Sequence, residues 1–146
     1  MYRIYYVGDG SADLDVVIRD LVANLDKTTL SQVNFKFVIN ALPYHFLSFK
    51  IASAIRYVND QLGGQVALDT LRYFLQHISD WNEGSSTVAN NSLTTVMNNI
   101  AGTVSTLTGL KKEDIRKEIA HYSSTDGLTR QWIKFSMGSL RMPGTP

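Results

Sequence analysis

"PYHFLSFKIASAIRYVNDQLGGQVALDTLRYFLQHISDW", residues 43–81, decides the fold class. Pro43 suits the first turn of a helix, where its missing N–H has no helical partner to lose. The pair Gly63–Gly64 reads as a stop between two helices. In the second of them, Val66, Leu68, Leu71, Phe74, Leu75 and Ile78 form the expected buried set. Downstream, the helical pattern continues. "NEGSS" (82–86) is a loop, and "TVANNSLTTVMNNIAGTVSTLTG" reads as one long helix ending at Gly109. "LKKEDIRKEIAHY" and "DGLTRQWIKFSMGSLR" add two more helical stretches before the tail "MPGTP".

Upstream of Pro43 the pattern differs. "YRIYYVG" is a β-branched and aromatic run ending at Gly8. "DGSADLDVVIRDLVANL" then switches to helical spacing, with Leu14, Val17, Ile18, Leu21, Val22 and Leu25 on one face. "VNFKFVIN" returns to period two, with Val33, Phe35, Phe37 and Ile39 on one side. The expected fold is therefore α+β and mostly helical. An N-terminal strand–helix–strand element, a parallel right-handed crossover, precedes a bundle of about five helices. The chain reads as a single domain, 1–146, divided into 1–42 (strand–helix–strand), 43–141 (helical) and 142–146 (tail).

At 146 residues, with 44% hydrophobic and 18% charged residues, the chain is long and apolar enough to bury a core. It holds no cysteine, which removes disulfides and thiolate metal sites from consideration. His45, His77 and His121 are far apart and fall in no metal-ligand spacing, so no metal and no cofactor are expected. No apolar run of about eighteen residues is present, so no membrane contact is expected. The expected location is the cytoplasm, or the host cell for a virus-encoded protein.

Net charge is +1, and it is segregated. Residues 1–26 hold Arg3 and Arg19 against five aspartates, net −3, whereas residues 110–146 hold seven basic residues against four acids, net +3. Between Gly84 and Leu110 there is no charged residue at all. Ala89, Leu93, Val96, Met97, Ile100, Val104 and Leu107 give this stretch an apolar stripe. Its other side carries Asn91, Thr94, Thr95, Asn98, Asn99, Gly102 and Thr106, where a solvated helix normally places Lys and Glu. Charge is depleted at the cores of protein interfaces. These seven residues, on a helix spanning 88–108, are the expected interface, and the partner is another copy of the chain or another protein.

Two short strings bear on chemistry. "VGDGSAD" (7–13) follows a strand and opens a helix, and it reads as a turn whose Asp9, Ser11 and Asp13 cap that helix. It is similar to the Gly-Asp-Gly-x-x-Asp loop of haloacid dehalogenase-type phosphatases, whose upstream Asp-x-Asp has no counterpart here. "RKEIAH" (116–121) and "RYFLQH" (72–77) resemble the Arg-x4-His string of HEPN ribonucleases, which are small, helical and metal-independent. That resemblance implies catalysis by Arg116 and His121: the histidine moving a proton at a 2′-hydroxyl, the arginine holding the phosphate. Lys117 and Tyr73 stand where the family prefers asparagine. The leading expectation is thus a small association or assembly protein. The alternative is a HEPN-like endoribonuclease, with RNA as partner only in that case.

Overall fold

The computed structural model describes residues 2–8, 20, 32–39, 46–82 and 84–120. Most of them are helical. The helices are α1 (Phe46–Leu62), α2 (Gly64–Gln76), the short turns α3 (Ile78–Trp81) and α4 (Ser86–Ala89), α5 (Leu93–Thr108) and α6 (Lys112–Ala120). Strands β1 (Tyr2–Gly8) and β2 (Val33–Ile39) run parallel, with Tyr2 opposite Val33 and Gly8 opposite Ile39. The helix expected between them lies outside the described residues, as do Pro43, the expected helix after residue 126 and the tail.

Helix α1 is the central one, packing against α2, α5 and α6. Its segment from Lys50 to Val58 is buried on almost every side, Tyr57 and Ile51 being half-buried. The small residues Ala52, Ser53 and Ala54 let the neighbouring helices approach. A single glycine, Gly63, separates α1 from α2. Its φ of 88° and ψ of 171° belong to a region that side chains with a Cβ avoid. Gly64 is already helical, so the paired-glycine stop predicted from the sequence is one residue long.

The helix expected over residues 65–81 breaks at His77, where φ is −111° and ψ 27°. His77 turns both its main-chain N–H and its ring Nδ1 onto the carbonyl of Tyr73, at 3.1 and 2.8 Å, and the α-helical ladder stops there. The buried face of α2 is Ala67, Thr70, Leu71, Phe74 and Leu75. Val66, Leu68 and Ile78 are only half-buried.

The long helix expected over 88–108 is likewise two pieces. Polar side chains at the junction compete for the backbone. Asn91 Nδ2 donates to the carbonyl of Thr87 at 2.8 Å, and Ser92 Oγ accepts from the N–H of Thr95 at 3.2 Å, capping α5. At the far end Gly109 adopts the left-handed conformation, φ 76°, and its N–H bonds the carbonyl of Ser105 at 2.8 Å. Ser105 Oγ then donates to the carbonyl of Leu110 at 2.7 Å, which ties down the turn into α6. Val96, Met97, Ile100, Ala101 and Val104 of α5 enter the core, together with Ile115 and Ile119 of α6. The last two are fully buried, each contributing about 1.5–3 kcal/mol.

Candidate functional site

Helices α5 and α6 form an antiparallel hairpin whose polar side divides into two strips. On the strip that α6 covers, Arg116 Nε donates to Asn98 Oδ1 at 2.9 Å. One turn along α5, the Nζ of Lys112 lies 3.7 Å from the point where a Cβ on Gly102 would stand. Glycine at 102 leaves room for the lysine to lie back across α5. Two of the seven expected interface residues, Asn98 and Gly102, therefore face a helix of their own chain.

The other strip is open. Asn91, Thr94, Asn99 and Thr106 are exposed, and Thr95 is half-buried. The hydroxyl of Thr106 donates to the carbonyl of Gly102 at 3.0 Å, and that of Thr95 lies 2.9 Å from the capping Ser92 Oγ. The strip thus offers fewer unsatisfied polar groups than its composition suggests. Leu93 and Leu107, at opposite ends of α5, are 46% and 42% exposed. They lie at the ends of the apolar stripe and leave large hydrophobic side chains in water.

The Arg-x4-His strings fare differently from each other. Arg116 is half-exposed on α6, and His121 lies outside the described residues, as do His45 and residues 9–13 of the expected capping turn. In the second string, His77 is engaged with the Tyr73 carbonyl and stacks on the Tyr73 ring at 4.2 Å. Arg72 keeps its Nε buried and without an acceptor among the described residues. Its neighbour Phe74 is core, packed edge-on against Trp81 at 5.2 Å. This string is built into the packing of α2.

A polar cluster on α1 had no marked signal in the sequence. Lys50 is fully buried, and its Nζ donates to the carbonyl of Ile119, near the end of α6, at 2.6 Å. Arg56, 6% exposed, forks to Asp60 on its own helix and to Glu118 on α6, at 2.7 Å each. Lys50 and Arg56 lie six positions apart on α1, and both reach α6. The cluster locks α6 onto the central helix.

Among the described residues no group of three potential metal ligands converges, and no helix is long and apolar enough to cross a membrane. The chain matches no family model, no curated protein and no solved structure to which it was compared.

Proposed function

We propose that this protein is an association module that docks on another copy of itself, or on another protein, through the open strip of α5. The observation that supports this is the strip itself. After α6 has covered Asn98 and Gly102, Thr94, Thr95, Asn99 and Thr106 of α5, with Asn91 just before its cap, remain accessible without one formal charge, and Leu93 and Leu107 at the two ends of the apolar stripe are exposed as well. A face that lives only in water gains solubility from Lys and Glu, whereas a face that must be desolvated on docking is penalised for them. Asn98 and Gly102 take part by setting where α6 lies against α5. Sedimentation over a range of concentrations, with the native chain and with Asn99→Glu, is the direct test. A native chain that stays monomeric at every concentration removes docking between copies.

The N-terminal part belongs to the same proposal: residues 1–42 form a strand–helix–strand unit. The parallel alignment of Tyr2–Gly8 with Val33–Ile39 supports it, because parallel strands need a crossover between them. A second function, a metal-independent endoribonuclease using Arg116 and His121, is supported by the half-exposed position of Arg116 on α6. Incubation with RNA in excess chelator tests it directly.

A further inference from the structure

The junction between α4 and α5 turns on few dihedral angles. Asn90, with φ −94° and ψ 3°, lies at the edge of the helical region, and Ser92 has a helical φ of −64°. The ψ of Ser92 is extended, 152°, where an unbroken helix needs about −42°. Side chains hold the break. Asn91 Nδ2 donates at 2.8 Å to the Thr87 carbonyl, the acceptor that the main-chain N–H of Asn91 uses in an α-helix. That N–H goes instead to the Val88 carbonyl at 3.1 Å, and Ser92 Oγ holds the N–H of Thr95. Both side-chain bonds are exposed to solvent, so neither anchors the break to the core.

The break also decides which side chain the core receives. In one unbroken helix Ala89 stands about two turns before Val96 and about three before Ile100, on the buried face. Val88 then stands about two turns before Thr95 and about five before Thr106, on the open strip. The broken arrangement reverses the two: Ala89 is exposed, and Val88 packs half-buried against the core. Ala89 continues the apolar stripe of α5, which favours the unbroken phasing. The larger Val88 and the Ser92 cap favour the broken one.

We infer that this junction is a two-position hinge that regulates the open strip. Broken, it keeps Val88 on the core and leaves the strip polar. Unbroken, it joins α4 to α5 and sets an apolar side chain on the strip, in line with Thr95 and Thr106. A docked partner buries that side chain and so binds the unbroken form more tightly, which shifts the population toward it. The inference rests on the docking reading above for the partner, but not for the hinge.

Leu93 supplies the test. It is the first residue of α5, follows the extended ψ of Ser92 and is 46% exposed, so proline fits there in the broken form. In an unbroken helix the same proline clashes with the carbonyl of Ala89. Leu93→Ala removes the leucine but permits both forms. Asn91→Ala combined with Ser92→Ala removes the side chains that hold the break. Cα chemical shifts and amide exchange at residues 90–93 read the hinge, and sedimentation of the same samples reads docking. The double alanine variant should move positions 90–92 toward helical shifts, by about fivefold in population for the loss of one cap. Leu93→Pro should stay broken and assemble more weakly than Leu93→Ala. A native chain that never assembles removes docking between copies, while the shifts still decide the hinge. Positions 90–92 that stay non-helical in the double variant overturn the hinge. Equal assembly of Leu93→Pro and Leu93→Ala overturns its link to the strip.

Discussion

Arg116 Nε donates to Asn98 Oδ1 at 2.9 Å across 18 positions of sequence, and this bond joins α6 to the uncharged side of α5. Both side chains are half-buried, so the contact is neither a buried network nor a loose surface pair. A bond to a charged donor contributes about 1.5–3 kcal/mol when well shielded, and solvent here reduces that to about 1 kcal/mol. A double-mutant cycle with Asn98→Ala and Arg116→Gln, read by urea unfolding, should give a coupling of that size. A coupling near zero would mean that the two side chains do not meet in solution.

Lys50 sets a larger effect. Its ammonium is fully buried against the Ile119 carbonyl, so its replacement takes a buried charge-assisted donor away from α6. Lys50→Met keeps most of the side-chain volume and should destabilise by about 1–3 kcal/mol. Lys50→Ala adds a cavity and should destabilise further, by about 2–5 kcal/mol in total. A Met variant as stable as the native chain would show that the lysine contributes nothing to holding α6.

Arg56 offers an internal comparison between its two carboxylates. Both bonds are 2.7 Å, but Asp60 is on the same helix, whereas Glu118 comes from α6. A local i,i+4 pair at a 41% exposed aspartate contributes about 0.3–0.5 kcal/mol. The pair to Glu118 ties two helices together on a buried guanidinium, and even at 34% exposure it should contribute about 1 kcal/mol. Chemical denaturation should therefore rank Glu118→Ala as more damaging than Asp60→Ala. The reverse order would place the anchor of α6 elsewhere.

Two glycines separate backbone strain from packing. Nothing stands within 4 Å of a Cβ added at Gly63 or Gly109, so alanine there meets no clash. Only the positive φ angles, 88° and 76°, remain to be accounted for. Gly63→Ala should destabilise by about 1–3 kcal/mol, because its φ and ψ together are open almost solely to glycine. Gly109→Ala, in the left-handed helical region, should lose about 1 kcal/mol, and Gly109→Asn less than that. Thermal unfolding of the three variants checks the order.

The open strip of α5 makes the prediction nearest to function. Asn99 is exposed, so Asn99→Glu should leave the folded subunit within about 0.5 kcal/mol of the native stability. In an assembly the same carboxylate must be desolvated without a partner, which costs several kcal/mol and should dissociate a moderate interface. Thr95→Lys should act in the same way, since its main-chain bond to Ser92 survives the change. Circular dichroism with sedimentation distinguishes loss of assembly from loss of fold. An unchanged mass in both variants would count against the strip as the contact surface.

Periodicity by itself determined much of the helical part. The apolar positions 96, 97, 100 and 104 read as a buried stripe in the sequence and enter the core in the structure, because a period near 3.6 leaves them one face to bury. Gly109 was legible as a helix end for an equally local reason, its freedom to adopt positive φ. The internal breaks at His77 and at Asn90–Ser92 were not legible, although the polar side chains that make them are visible in the sequence. A helix and a turn compete there within a small margin, and tertiary packing chooses between them.

The candidate site was less legible. The absence of charge from Gly84 to Leu110 is a property of the sequence alone, and it is enough to single out α5. Which part of that helix is covered depends on where α6 lies. That in turn depends on bonds between residues as far apart as Lys50 and Ile119, or Asn98 and Arg116. Composition and spacing describe one helix at a time. The pairing of a buried lysine with a carbonyl 69 positions later, and the division of α5 into a covered strip and an open one, exist only once several helices pack on α1.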